Sequence, residues 1–283
     1  MRRFMERGYV VWLNPFNRFP TYVSFRNTRA IVFWTKDPRP IMPRLHELDG
    51  RQIGYYFQYT LNDYEDLGCE PNIPSLEDRI EDFKELSSTI GKEKVIWRYD
   101  PLLLSHKIDI ESLVERVETV GDVIHEFTDR LVISFVDLRA YRKLSGPSAA
   151  HGLRELTPSE MERVAERISE LNGRWGLEMF TCGEKVDLER YGIRKGRCVD
   201  GDLLLRLFPC DQALSEHLKD NNKKDNGQRE ACCCVSSKDI GEYNTCPHLC
   251  VYCYANRSRQ TVIENLGSHN KNPLGETITG RRM

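Results

Sequence analysis

Between residues 29 and 182 the chain alternates between two hydrophobic patterns. Short continuous apolar runs read as buried strands: "RAIVFWTK" (29–36), "IGYYFQYTL" (53–61), "KVIWRYD" (94–100), "RLVISFVDL" (130–138) and "GLEMFTC" (176–182). A proline-rich turn and a short helix around "IMPRLHEL" follow the first of them. Between the others the apolar positions recur at helical spacing. Ser75 caps a helix with Asp78 three residues on, Leu76, Ile80, Phe83, Leu86 and Ile90 form its apolar face, and Gly91 ends it. Residues 109–121 place Ile110, Leu113, Val114, Val117 and Val120 on one stripe. The clearest helix is 157–173, where Thr157 caps, Pro158 takes the first turn, Glu160 closes a capping box and Gly173 terminates.

Strand and helix in alternation at this spacing predict right-handed βα units on a parallel sheet, an α/β fold. The sheet is expected to curl into a complete or partial (βα) TIM-like barrel, with an open, doubly wound sheet as the alternative. The strand ends favour the barrel. Thr35 and Lys36, Gln58 and Thr60, Arg98 and Asp100, Ser134 and Asp137, and Thr181 and Glu184 are all polar. A barrel gathers such residues at its carboxyl-end face, where active sites are built. Loops also begin at strand ends, and this alone favours polar residues there. Convergence on a site makes Lys36, Gln58, Arg98 and Asp100 the candidate catalytic residues.

Composition narrows the setting. The 283 residues are 40% hydrophobic and 30% charged, with a formal net charge of -2, which argues against a strongly basic nucleic-acid surface. No apolar run reaches membrane-spanning length, and the start has too short an apolar stretch for a secretory signal. Of the ten cysteines, nine lie after residue 181, a clustering that points to metal or redox chemistry in a reducing compartment, the cytoplasm. The chain divides into 1–181 (βα units), 182–256 (a cysteine-rich region completing the barrel) and 257–283 (a helix and a flexible tail). Residues 217–230 read as a surface loop or a disordered turn.

Cys246, Cys250 and Cys253 stand at spacing C-x3-C-x2-C in "DIGEYNTCPHLCVYCYAN". Three thiolates from one loop suit a 4Fe–4S cube with one iron open to a non-protein ligand. The alternative is zinc with a fourth ligand, His248 or another cysteine. Tyr252 and Tyr254 flank the last thiol, "DIGEY" reads as a short strand, and "RSRQTVIENL" starts a helix. His46, His125 and His151 show no partner spacing and read as surface or capping residues, and His248 as shaping the turn.

"CPHLCVYCYAN" resembles the cluster loop of the radical S-adenosylmethionine (SAM) superfamily, C-x3-C-x-aromatic-C. It is most similar to the branch of spore photoproduct lyase and the DNA repair photolyases. "FWTKDP", "YYFQYTLNDYEDLGCEPNIPSLEDRIEDFKEL" and "VIWRYDPLLL" are similar to strands of that branch. With its cluster loop near the end, the chain resembles an uncharacterised prokaryotic domain-of-unknown-function family with a circularly permuted radical SAM arrangement. The resemblance implies that SAM fills the open iron position and that electron transfer yields methionine and a 5′-deoxyadenosyl radical. Cys246, Cys250 and Cys253 would ligate the cluster and Tyr252 would lie near the adenine. An electron donor such as ferredoxin or flavodoxin is implied, the substrate is unspecified, and nucleic-acid lesion repair is one alternative. A non-catalytic, metal-stabilised scaffold is another.

The resembling family also carries cysteines at the positions of Cys182, Cys198, Cys232 and Cys234, with a small residue at Cys233. Four thiols from three segments make a complete set for a second iron–sulfur cluster or a structural zinc. Cys69 and Cys210, and on the alternative reading Cys182, are simply buried thiols. Two departures stand out. Leu249 occupies a position usually held by glycine. A first strand with an Arg-Arg-Thr-Asp motif has no counterpart, "MRRFMERGYV" matching the helix after it, so an open barrel edge and fewer contacts to SAM are expected.

Overall fold

The computed structural model describes residues 6–15, 17–140 and 144–280. The first strands described form an antiparallel hairpin, β1 (Tyr9–Leu13) and β2 (Pro20–Ser24); the helix expected over "MRRFMERGYV" lies for its first half outside the described residues. Then come β3 (Ala30–Thr35), the short α1 (His46–Asp49), β4 (Gly54–Thr60), α2 (Leu76–Ile90), β5 (Val95–Leu102) and β6 (Leu104–Ser105). Next are α3 (Ile110–Ile124), β7 (Arg130–Phe135), α4 (Ser145–Ala150), β8 (Leu153–Arg154) and α5 (Pro158–Trp175). The chain ends with β9 (Glu178–Thr181), β10 (Ile193–Lys195), α6 (Gly201–Leu207), α7 (Gln212–Asn221) and α8 (Arg259–Lys271).

Six strands form one parallel sheet in the order β10-β9-β7-β5-β4-β3, so every crossover steps in the same direction. The two edge strands, β3 and β10, do not pair with each other among the described residues, and no closed barrel is formed. The period of two along each strand explains what covers the sheet. Tyr55, Phe57 and Tyr59 of β4, Trp97 and Tyr99 of β5, and Leu131 and Ile133 of β7 face one way, into a core shared with α2, α3 and α5. Tyr56, Ile96 and Val132 face the other way, against Leu203 and Leu204 of α6 and Leu214 and Leu218 of α7. In a complete barrel this second face would enclose side chains alone; here two helices lie on it.

The helix starts follow their capping residues. Ser75 accepts from Asp78 N, and Asp109 and Thr157 each close a full capping box. Elsewhere the pattern misled. Helix α5 runs past Gly173 to Trp175 and ends at Gly176, whose φ of 69° is left-handed. Residues 217–221 belong to α7, and "DIGEY" is not a strand. The expected flexible tail is packed as far as residue 280: Thr277 and Thr279 are buried, and Val11 N–H donates to Glu276 O (2.8 Å). Among the described residues no helix is long and apolar enough to cross a membrane.

Candidate functional site

Gln58, Arg98 and Ser134 follow Tyr56, Ile96 and Val132 by two residues, so they continue the second sheet face toward the carboxyl ends of their strands. All three are buried. Arg98 is the hub: its Nη1 donates to Gln58 Oε1 (3.1 Å) and to Cys198 Sγ (3.0 Å), and its Nε to Asp100 Oδ2 (3.2 Å). The Ser134 hydroxyl donates to Asp100 Oδ1. Gln58 Nε2 and the Tyr56 hydroxyl both donate to the Cys198 carbonyl, at 3.0 and 2.6 Å. Burial opposes the charge on Arg98, but Cys198 and Asp100 outweigh it and hold its pKa well above the ordinary value. Burial likewise opposes ionised Asp100, and Arg98 and Ser134 overcome it and lower its pKa. Gln58, Arg98 and Asp100 therefore form one network around a thiol.

That thiol belongs to the second cysteine set, which the fold brings together from three segments. Cys182 Sγ lies 2.8 Å from Cys198 Sγ, and the backbone N–H groups of Cys198 and Val199 donate to Cys234 Sγ at 3.1 and 3.3 Å. Cys232 packs against the same group. The thiol contacts run in sequence, from Cys182 to Cys198 to Cys234 to Cys232. The contact with Cys198, and burial, push the Cys182 thiol up. The contact with Cys198 holds Cys234 below the ordinary thiol value, against burial. Cys210 is exposed, and Cys69, buried in the core, is pushed up to about 12 by burial.

Lys36, just beyond β3, belongs to a different neighbourhood. Its Nζ lies 2.7 Å from Glu70 Oε1 and 5.8 Å from the centre of the Tyr252 ring, in the first cysteine loop. The Tyr252 hydroxyl donates to the same carboxylate oxygen. Burial disfavours ionised Glu70, yet Lys36 and Tyr252 bring its pKa below the ordinary value. Burial pushes Cys250 up to about 12 and raises Cys246, with Lys36 opposing both shifts. His248 shapes the turn, its Nδ1 3.0 Å from Asn72 O, and Leu249 adopts a left-handed φ of 56°. Asn62 links the two neighbourhoods: its Nδ2 donates to Asp100 O (2.9 Å) and lies 3.5 Å from Glu70 Oε1.

Among the described residues no group of three or more Cys, His, Asp or Glu side chains stands in ready metal-holding geometry. Both cysteine sets are thus proximities of soft donors, not formed coordination spheres. Glu70, Asn62 and Asn72 lie in the β4–α2 connection, where no periodicity points to them; Glu70 and Asn72 have one cue, their nearness to Cys69 in "GCEPN", and Asn62 has none of that kind. Glu184 follows the end of β9. Its Oε1 accepts from Phe135 N (2.9 Å), and burial pushes its carboxyl up to about 7. A broad cleft of about 960 Å³, lined by Lys92, Thr128 and Gly176 among others, opens at the amino ends of β5, β7 and β9, away from this chemistry.

The family match covers most of these elements. The chain belongs to the DUF1848 family, a domain of unknown function, whose model matches residues 1–255. Both cysteine sets, Lys36, Glu70 and the Arg98 network fall inside the matched span; α8 and the tail lie beyond it. No curated protein and no solved structure matches the chain.

Proposed function

We propose that this DUF1848 member is an iron–sulfur protein of the radical SAM type, acting on an unidentified substrate from an open (βα) barrel. The observation that carries the reading is the seating of the Cys246–Cys250–Cys253 loop against Lys36 and Glu70, with Asn62 linking it to the Arg98–Asp100 network at the strand ends. The donor set fits the group: three thiols of one loop offer soft ligands and leave one corner of a cube for another molecule. Cys246, Cys250 and Cys253 would hold such a cluster, which would supply one-electron reduction of a SAM sulfonium at its open corner. Tyr252 keeps one side of the loop closed against Glu70. Gln58, Arg98 and Asp100 support the second thiol set, Cys182, Cys198, Cys232 and Cys234, which takes its own cluster or a zinc.

A second reading, a metal-stabilised scaffold without catalysis, is favoured by that four-thiol set, since N–H groups donating to Cys234 Sγ suit a structural thiolate. One experiment separates the two. After anaerobic reconstitution, iron, sulfide and zinc are counted in the wild type and in the Cys246→Ala/Cys250→Ala/Cys253→Ala variant. Both are then incubated with SAM and a strong reductant. The variant is expected to lose about one cluster's worth of iron and all formation of 5′-deoxyadenosine. If the variant keeps its full metal content and the wild type makes no 5′-deoxyadenosine, the scaffold reading stands instead.

A further inference from the structure

One short segment, residues 69–72, fastens the cysteine loop to the body of the protein. Val251 N–H donates to Cys69 O (2.9 Å), the Asn72 side-chain amide donates to Pro247 O (2.8 Å), and the His248 ring meets Asn72 O. The Tyr252 hydroxyl, two residues after Cys250, donates to Glu70. The Glu70 side chain is 0% exposed, and its Oε2 is buried with no hydrogen-bond partner among the described residues. Leaving a carboxylate oxygen in that state is costly, and the Lys36 ammonium on Oε1 is what keeps the charge tolerable. The Lys36–Glu70 ion pair thus stands against the cysteine loop, its ammonium 5.8 Å from the centre of the Tyr252 ring and its carboxylate bonded to the Tyr252 hydroxyl.

We propose that Lys36 and Glu70 are positioning residues for the group held by the cysteine loop: Glu70 seats the loop through Tyr252, and the two opposite charges set that group's affinity for an electron. The proposal rests on the reading of the loop as an iron–sulfur site. It takes Lys36 away from the substrate, since its ammonium is already engaged by Glu70. The physical basis is that adding an electron beside a buried negative charge is disfavoured and beside a positive charge is favoured, at short range and low dielectric.

The test is a redox titration, followed by electron paramagnetic resonance, of the full-length reconstituted chain, with iron counted in each sample. Glu70→Gln should shift the midpoint potential to more positive values and Lys36→Met to more negative ones. The Lys36→Met/Glu70→Gln double variant should fall near the wild type. Tyr252→Phe keeps both charges, so its potential should hold while iron is lost faster to a chelator. Shifts of the same sign, or none, in iron-loaded variants overturn this inference and leave the iron–sulfur reading intact. If Lys36→Met alone does not load iron, Glu70→Gln is compared with the double variant: a more positive potential for Glu70→Gln supports the proposal, and equal potentials overturn it. A wild type that binds no iron overturns the reading and this inference together.

Discussion

Leu249 occupies a left-handed backbone conformation, φ 56°, in the middle of the cysteine loop. An L-residue with a branched side chain pays roughly 1–2 kcal/mol to stand there. Glycine avoids that strain, but its freer unfolded chain costs roughly 0.5–1 kcal/mol. Leu249→Gly is therefore expected to stabilise the metal-free protein by about 0.5–1 kcal/mol, measured as a shift in the urea midpoint. A destabilised variant would mean that packing of the half-buried Leu249 side chain outweighs the strain. This residue was legible in the sequence, as a departure from the resembling loop pattern, because the steric demand of one backbone position is local. Arg98 and Asp100 were legible as a pair for a similar reason: two polar residues at one strand end must meet something. Glu70 was not, since a carboxylate in an irregular connection gives no sign of the lysine 34 positions earlier that it will meet.

At the level of elements, capping chemistry located the helix starts well, and helix ends less well. Gly173 looked like a terminator, but the two residues after it remain helical because Trp175 is buried and joined to α3 through an indole N–H to Asp122 Oδ1 (2.8 Å). Gly121 on α3 makes that contact feasible: a Cβ there would meet the Trp175 ring at 2.4 Å. In an open helix Gly→Ala gains about 1 kcal/mol of propensity. Overpacking a rigid buried indole costs about 1–3 kcal/mol. Gly121→Ala should thus destabilise by about 1 kcal/mol or more, read from denaturant unfolding followed by tryptophan fluorescence. A more stable variant would show that α3 and α5 separate freely. Helices α6 and α7 have little signal in the sequence pattern; the first is seven residues, too short for a periodic signal, and the second runs into the polar, charged stretch 217–230. These two helices cover the sheet face that a closed barrel would enclose.

Across the whole molecule, the N-terminal hairpin and residues 276–279 meet beside the segment that leads into the cysteine loop. The N-terminal hairpin is bridged in parallel to the tail at Val11 and Thr277, and Tyr9 donates to Glu276 (3.3 Å). Trp12 donates to Gly241 O (3.2 Å) and carries the Lys238 ammonium 3.5 Å over its ring. Thr279 N–H donates to Glu242 Oε2 (3.3 Å), and Asn265 of α8 donates to Asn244 O (2.9 Å), two residues before Cys246. The segment entering the loop is therefore held on one side by the hairpin and on the other by α8 and the tail, of which the tail alone was expected to be flexible. Deleting residues 273–283 would uncover Val11 and take the Thr279 N–H from Glu242, leaving it Arg18 (3.6 Å) and leaving every cysteine in place. Re-exposing apolar side chains costs about 1.5–3 kcal/mol each when fully buried. A domain of this size loses roughly 2–4 °C per kcal/mol. The truncated chain is expected to melt roughly 5 °C lower or more by calorimetry. On the iron–sulfur reading proposed above, iron loading should also slow, because the loop would have lost one of its two walls. An unchanged melting temperature with unchanged iron loading would show that residues 69–72 alone are enough to hold the loop.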